Sequence, residues 1–148
     1  MDPDLARERF ETALADHTPD FGRFFLVRLL DLRISYDDAE RTCRVDMPAN
    51  ELLDNPQGSL HGGIMATVLD ISMGHLCHRH LSTAVTLEMK TAYLRPVRGR
   101  CWARGRFVKP GRRIVHLESH LHDEDGRLAA HATSTWHRVE AAPQHPKE

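Results

Sequence analysis

The chain has 148 residues, a formal net charge of -1 and 28% charged residues. That length suits one domain with a single substantial core, and its Lys and Arg are scattered among Asp and Glu, a balance that argues against nucleic acid or a membrane surface as partner. Cys43, Cys77 and Cys101 form no CxxC pair and cannot all pair with one another, as expected in a reducing, cytoplasmic compartment. The opening MDPDLARERFETALADH lacks the apolar core of a signal peptide, and no later run is long enough to span a bilayer.

Taken in order, Asp4 to Ala15 is rich in Ala, Leu, Glu and Arg, and Ala6, Phe10, Ala13 and Leu14 share one helical face. This predicts a short amphipathic helix within an N-terminal segment, 1–20, that ends before Pro19. Phe24 to Ser35 and Ala39 to Met47 read as a hairpin turning at Tyr36-Asp37-Asp38 and closed by Pro48. A long helix follows the Gly-rich loop at Pro56 and Gly58, and its pattern fades near Leu76 to His80. Ala84 to Leu94, Arg100 to Lys109, Arg112 to His122 and Arg127 to Val139 read as strands. Turn signals separate them at Pro96 with Gly99, at Pro110-Gly111 and at Asp123 to Gly126.

The last three strands, joined by short loops, form an antiparallel meander. In the third of the four, Val115, Leu117 and Leu121 alternate with His116, Glu118, His120 and His122, so one face is apolar and the other polar. The expected fold is α+β: a curved antiparallel sheet of about six strands around one long central helix, with a short N-terminal helix. One domain, 1–148, is expected, and residues 140–148 read as a flexible tail.

The chemistry concentrates in Asn55 to Asp70, NPQGSLHGGIMATVLD. A polar loop meets His61-Gly62-Gly63 where the apolar helical pattern begins, so backbone N–H groups point out of a helix start and can hold an oxyanion. Leu60, Ile64, Met65, Val68, Leu69 and Ile71 place Asp70 in mostly apolar company. A carboxylate there is either paired structurally or is a base or nucleophile in a cleft.

Asn55, Gly58, His61-Gly62-Gly63 and Asp70, followed by Val85-Thr86, Tyr93-Leu94-Arg95-Pro96, Gly111-Arg112-Arg113 and Asp123 to Gly126, resemble the hotdog-fold acyl-CoA thioesterases of the phenylacetate-degradation (PaaI-like) type. The resemblance runs in order from about Asn55 to Trp136, and it rests on an HGG with an acidic residue nine positions on, between a hairpin and a strand meander. It implies that Gly62 N–H, with Asn55 and His61 nearby and Gly63 beside it, polarises a thioester carbonyl. Asp70 then acts as general base or nucleophile, and Thr86 helps hold the water. The resemblance also implies an acyl-CoA substrate, no cofactor beyond the coenzyme A it carries, and a homodimer that can assemble further into a dimer of dimers.

Geometry adds a consequence of its own. Gly62 and Asp70 are eight residues apart, which on one straight helix means about 12 Å along the axis and roughly 80° around it. Reacting atoms approach to about 3–3.5 Å. If both groups serve one thioester, they come from different chains.

Coenzyme A carries phosphates, and Lys109, Arg112 and Arg113 around Gly111 are the candidates to meet them, with Arg95 and Arg98 behind. His75, Cys77, His78 and His80 invite a metal reading, but the full ligand set and spacing of a zinc site are missing, so no metal is expected. No G-x-S-x-G elbow is present. Two other functions on the same fold are a non-catalytic acyl-CoA sensor, which would not need Asp70, and a dehydratase or hydratase, whose catalytic His and acid are arranged differently.

Overall fold

The structure is a computed structural model that describes residues 2–139; the tail expected at 140–148 lies outside the described residues. Helix α1 spans Pro3–Asp16, with Asp2 as its N-cap and Pro3 in the first turn, where a missing N–H costs nothing. Of its predicted apolar face only Ala13 is buried; Phe10 and Leu14 are half exposed, because α1 packs on the short helix that follows rather than on the core. Phe10 meets Phe25 edge-on at 5.5 Å.

That short helix, α2, Phe25–Leu29, corrects the expected strand over Phe24 to Ser35. Val27 and Leu30, both buried, stand three positions apart, a helical rather than a strand spacing. Asp31 then takes a left-handed conformation (φ 51) that ends the turn. Only Arg33–Asp37 remains as β1, paired with β2, Thr42–Met47.

Helix α3, Gly62–His80, continues to the end of the stretch where the apolar pattern fades, and its last turn is basic, as the negative end of a helix favours. Arg79 there binds Asp38 through two nitrogens, at 3.1 and 2.7 Å. Strands β3, Ala84–Tyr93, β4, Cys101–Pro110, β5, Ile114–Asp123, and β6, Leu128–Arg138, complete one antiparallel sheet of order β1-β2-β4-β5-β6-β3. The meander β4-β5-β6 and the two-faced β5 are as predicted.

The sheet curls around α3, which is buried without a break from Ile71 to Cys77. Two small residues set how close it comes. A Cβ on Gly105 of β4 would lie 2.9 Å from the Ser72 carbonyl oxygen, and one on Gly74 would lie 3.0 Å from the Trp136 ring. Ser72 and Ser119 share a buried 2.7 Å hydrogen bond across the same contact. The three cysteines are free and buried, and burial pushes each thiol up to about 12.

Strand β3 is an edge, and it carries a bulge. Its pairing with β6 slips between Thr86 and Glu88, leaving Leu87 extra. Side chains alternate along a strand, so one inserted residue exchanges the faces of everything beyond it. Thr86 stands opposite Trp136 and Tyr93 opposite Ala130, both of which line the helix side of β6. Thr86 and Tyr93 therefore both face α3, although they stand an odd number of positions apart.

Candidate active site

The two halves of the predicted constellation lie at opposite ends of the sheet. At one end, Thr86 Oγ1 donates to Asp70 Oδ1 at 2.9 Å. Asp70 lines a cavity of ≈480 Å³ with Phe21, Phe24, Ile71, His75 and Trp136 among its walls. Burial pushes the Asp70 carboxyl above its ordinary 3.8, and the Thr86 hydrogen bond draws it partly back. Such a carboxylate is a stronger base than an exposed one.

His75, weighed above as a metal ligand, belongs to this cavity. Its Nδ1 lies 2.8 Å from the Tyr36 hydroxyl, and burial lowers its pKa to about 4, so the ring is neutral at physiological pH. His78 stacks on Phe21 with ring centroids 4.1 Å apart. Among the described residues no group of three or more His, Cys, Asp or Glu is placed to hold a metal ion.

At the other end, Gly62 opens α3 and lines a second cavity, of ≈320 Å³, with Asn55, Ser59, Met65 and Tyr93. The helix entrance is held by its own loop: His61 N–H donates to Leu53 O at 3.0 Å and Leu60 N–H to Val97 O at 2.9 Å. His61 is the N-cap, and its Nδ1 accepts from Gly63 N–H at 3.0 Å. Ile64 and Met65 donate to His61 O. Gly62 N–H alone of the first turn has no acceptor among the described residues. Asn55 is turned into its loop, its Oδ1 accepting from Gln57 and Ser59 N–H and its Nδ2 donating to Ser59 Oγ at 3.1 Å.

The basic turn is exposed. Lys109, Arg112 and Arg113 make no ion pair among the described residues. Gly111 is obligatory, because a Cβ there would fall 2.1 Å from the Ile114 carbonyl oxygen. Thr86, Trp136, Val115 and Pro110 form one row across β3, β6, β5 and β4. The turn thus stands at the Asp70 end of the sheet, about 14 Å across the strands from Thr86. Tyr93, by contrast, shares its row with Ala130 and Leu121 at the Gly62 end. In a single chain the structure brings together Asp70 and Thr86, with the basic turn apart from them at the same end of the sheet, and separately Asn55, His61, Gly62 and Gly63.

Tyr93 was missed as a site residue. Its hydroxyl donates to Gly62 O at 2.9 Å, and its ring lies 3.3 Å from where a Gly62 Cβ would be. A tyrosine closing a strand carries no signal in alternation alone, and the Leu87 bulge hides which way it faces.

Residues 57–130, half of the chain, match the model of the thioesterase superfamily. The medium/long-chain acyl-CoA thioesterase YigI of Salmonella typhimurium is 31% identical over 97 residues, an alignment covering 54% of this chain and 63% of that protein. The fold is shared with BH2602 of Bacillus halodurans, solved with CoA (TM-score 0.78, 23% identity, 94% of this chain and 91% of that one). It is shared equally with PaaI of the Escherichia coli phenylacetic acid degradation operon (TM-score 0.77, 19% identity, 93% and 98%). No helix among the described residues is long and apolar enough to cross a membrane. With an HGG-opened central helix inside a curled antiparallel sheet and half its length under the family model, the chain belongs to the thioesterase superfamily and is a thioester hydrolase of the hotdog fold.

Proposed function

We propose that the protein hydrolyses acyl-CoA, with an aromatic or medium-chain acyl group, to the free acid and CoA, at sites each built from two copies of the chain. The observation that carries this reading is the separation of the two halves. The β6 partners of Thr86 and Tyr93, Trp136 and Ala130, stand six positions apart, which corresponds to about 20 Å of strand. One chain cannot close that distance around one thioester.

A second copy can. Strand β3 is an unpaired edge of the sheet among the described residues, and Val85, Leu87, Tyr93 and Leu94 on and beside it are about half exposed. A two-fold axis crossing β3 near Met89 pairs the strand antiparallel with itself and sets Thr86 of one copy beside Tyr93 of the other. Asp70, bonded to Thr86, then faces the Gly62 N–H of the second copy, and two equivalent sites result. Association into a dimer of dimers is compatible with this arrangement.

In each site the Gly62 N–H receives the carbonyl oxygen as it becomes an oxyanion, with the helix start adding a favourable field. The Asp70 carboxylate takes a proton from water held by Thr86, hydroxide adds to the carbonyl carbon, and collapse breaks the C–S bond. The thiolate leaves and takes up the proton, and the acid departs. Alternatively Asp70 attacks directly and water cleaves the resulting anhydride. Asn55 and His61 hold the loop and cap that orient Gly62 and Gly63. Lys109, Arg112 and Arg113, on the turn that Gly111 permits, meet the CoA phosphates. The apolar walls at Phe21, Phe24, Ile71 and Trp136 suit the acyl group, and no cofactor is needed. The free, buried cysteines suit a cytoplasmic setting.

The test is thiol release from a panel of acyl-CoAs, with a single turnover in oxygen-18 water to separate water attack from direct attack. Direct attack first places an enzyme oxygen in the product acid. Binding of every acyl-CoA without thiol release would select the sensor reading instead.

A further inference from the structure

We propose that Tyr93 is a positioning residue for the oxyanion donor: its hydroxyl and ring pin the first turn of α3 so that the Gly62 N–H holds one direction. The proposal rests on the hydrolytic reading above and deepens it. The first two residues of α3 are both glycine, among the residues least favourable to helix, and an unsupported turn of this kind frays. Fraying would be most damaging here, because a donor stabilises a transition state only if it is already aimed.

The helix's own bonds restrain this turn only from within α3 and its cap. His61 Nδ1 caps Gly63, His61 O, in the same peptide unit as the Gly62 N–H, takes Ile64 and Met65, and the Gly62 carbonyl enters the helical ladder. Tyr93 adds a restraint from a different element, through the 2.9 Å hydrogen bond of its hydroxyl to Gly62 O and the contact of its ring with the glycine's open face. That face is open only because residue 62 lacks a Cβ, which would stand 3.3 Å from the ring. A side chain at position 62 would press on this ring, so glycine suits the clamp.

The same strand holds the acid: Thr86 on β3 fixes Asp70, and Tyr93 on β3 fixes Gly62. One edge strand thus orients both chemical groups carried by α3. Because β3 is also the proposed seam between copies, the residue that aims one copy's donor stands beside the residue that holds the other copy's acid.

Tyr93→Phe keeps the ring and removes the hydroxyl. Expected is a fall in kcat of about tenfold to a hundredfold, with KM within about twofold. Amide exchange in residues 62–66 should quicken about fivefold or more, while β3 and β6 keep wild-type protection. Wild-type kcat in Tyr93→Phe overturns the proposal. So does a lost kcat with unchanged exchange at the helix start, since the hydroxyl would then act on substrate and not on Gly62. If no acyl-CoA is hydrolysed by the wild-type protein, the functional reading fails, but the exchange comparison still decides whether Tyr93 pins the turn.

Discussion

Thr86 Oγ1 gives Asp70 Oδ1 a 2.9 Å hydrogen bond, and this bond opposes the burial that raises the Asp70 pKa. A base works only when ionised, so activity is present above that pKa and is lost as pH falls through it. The acid limb of kcat/KM is expected above the ordinary carboxylate value of 3.8. Thr86→Val, which removes the donor, moves the limb to higher pH, whereas Thr86→Ser leaves it in place. A pH–rate profile of the three proteins measures this.

Gly62→Pro removes the one free N–H of the helix start without unfolding it. Proline is welcome at the first helical position, and it requires an extended residue before it, which His61 already is (φ -61, ψ 133). Loss of the donor is expected to lower kcat by about a hundredfold or more, with circular dichroism unchanged. The proline ring meets Tyr93, so KM is to be followed alongside.

Asp70→Asn and Gly62→Pro also test the shared site. Each alone is inactive, yet in a mixed dimer one of the two sites receives an intact Gly62 and an intact Asp70. Equal mixing after subunit exchange should restore about a quarter of wild-type activity. No recovery, with exchange verified by mass spectrometry, would count against sites built between copies.

His75 couples stability to pH with a definite sign. Burial lowers its pKa from 6.5 to about 4, so the unfolded chain binds the proton first as pH falls. Stability is full above about pH 6.5 and declines toward pH 4, by about 3 kcal/mol for this group. Urea unfolding at several pH values should show a shallower decline in His75→Gln than in wild type. The difference between the two isolates His75 from Asp70, whose raised pKa acts in the opposite sense.

Arg112→Glu with Arg113→Glu should raise KM for acyl-CoA and its dependence on salt, and leave KM unchanged for the same acyl group on a short thiol without phosphates. Equal effects on both substrates would remove the turn from substrate binding.

Much of the architecture was legible because it rests on long, regular patterns. The central helix, the four strands after it and their turns each repeat over enough residues for period and punctuation to agree. Helix α2 was not legible, since five residues make barely more than one turn and the same letters also alternate. In the site, Gly62 at a helix start and Asp70 further along the same helix follow from spacing. The Thr86–Asp70 bond, the Tyr93 clamp and the approach of Tyr36 to His75 join residues 16, 31 and 39 positions apart, and only the closed sheet brings these together.

The extra residue at Leu87 makes the length of β3 a matter of parity. Deleting it would let Thr86 and Glu88 run on in regular pleat with the register to β6 unchanged, and Met89, Thr91 and Tyr93 would still turn toward α3. Drawing Leu87 into the ladder as a paired residue would instead swing all three outward into solvent and leave the helix mouth unlatched. The strand keeps its tyrosine home by leaving that single residue out of the pleat.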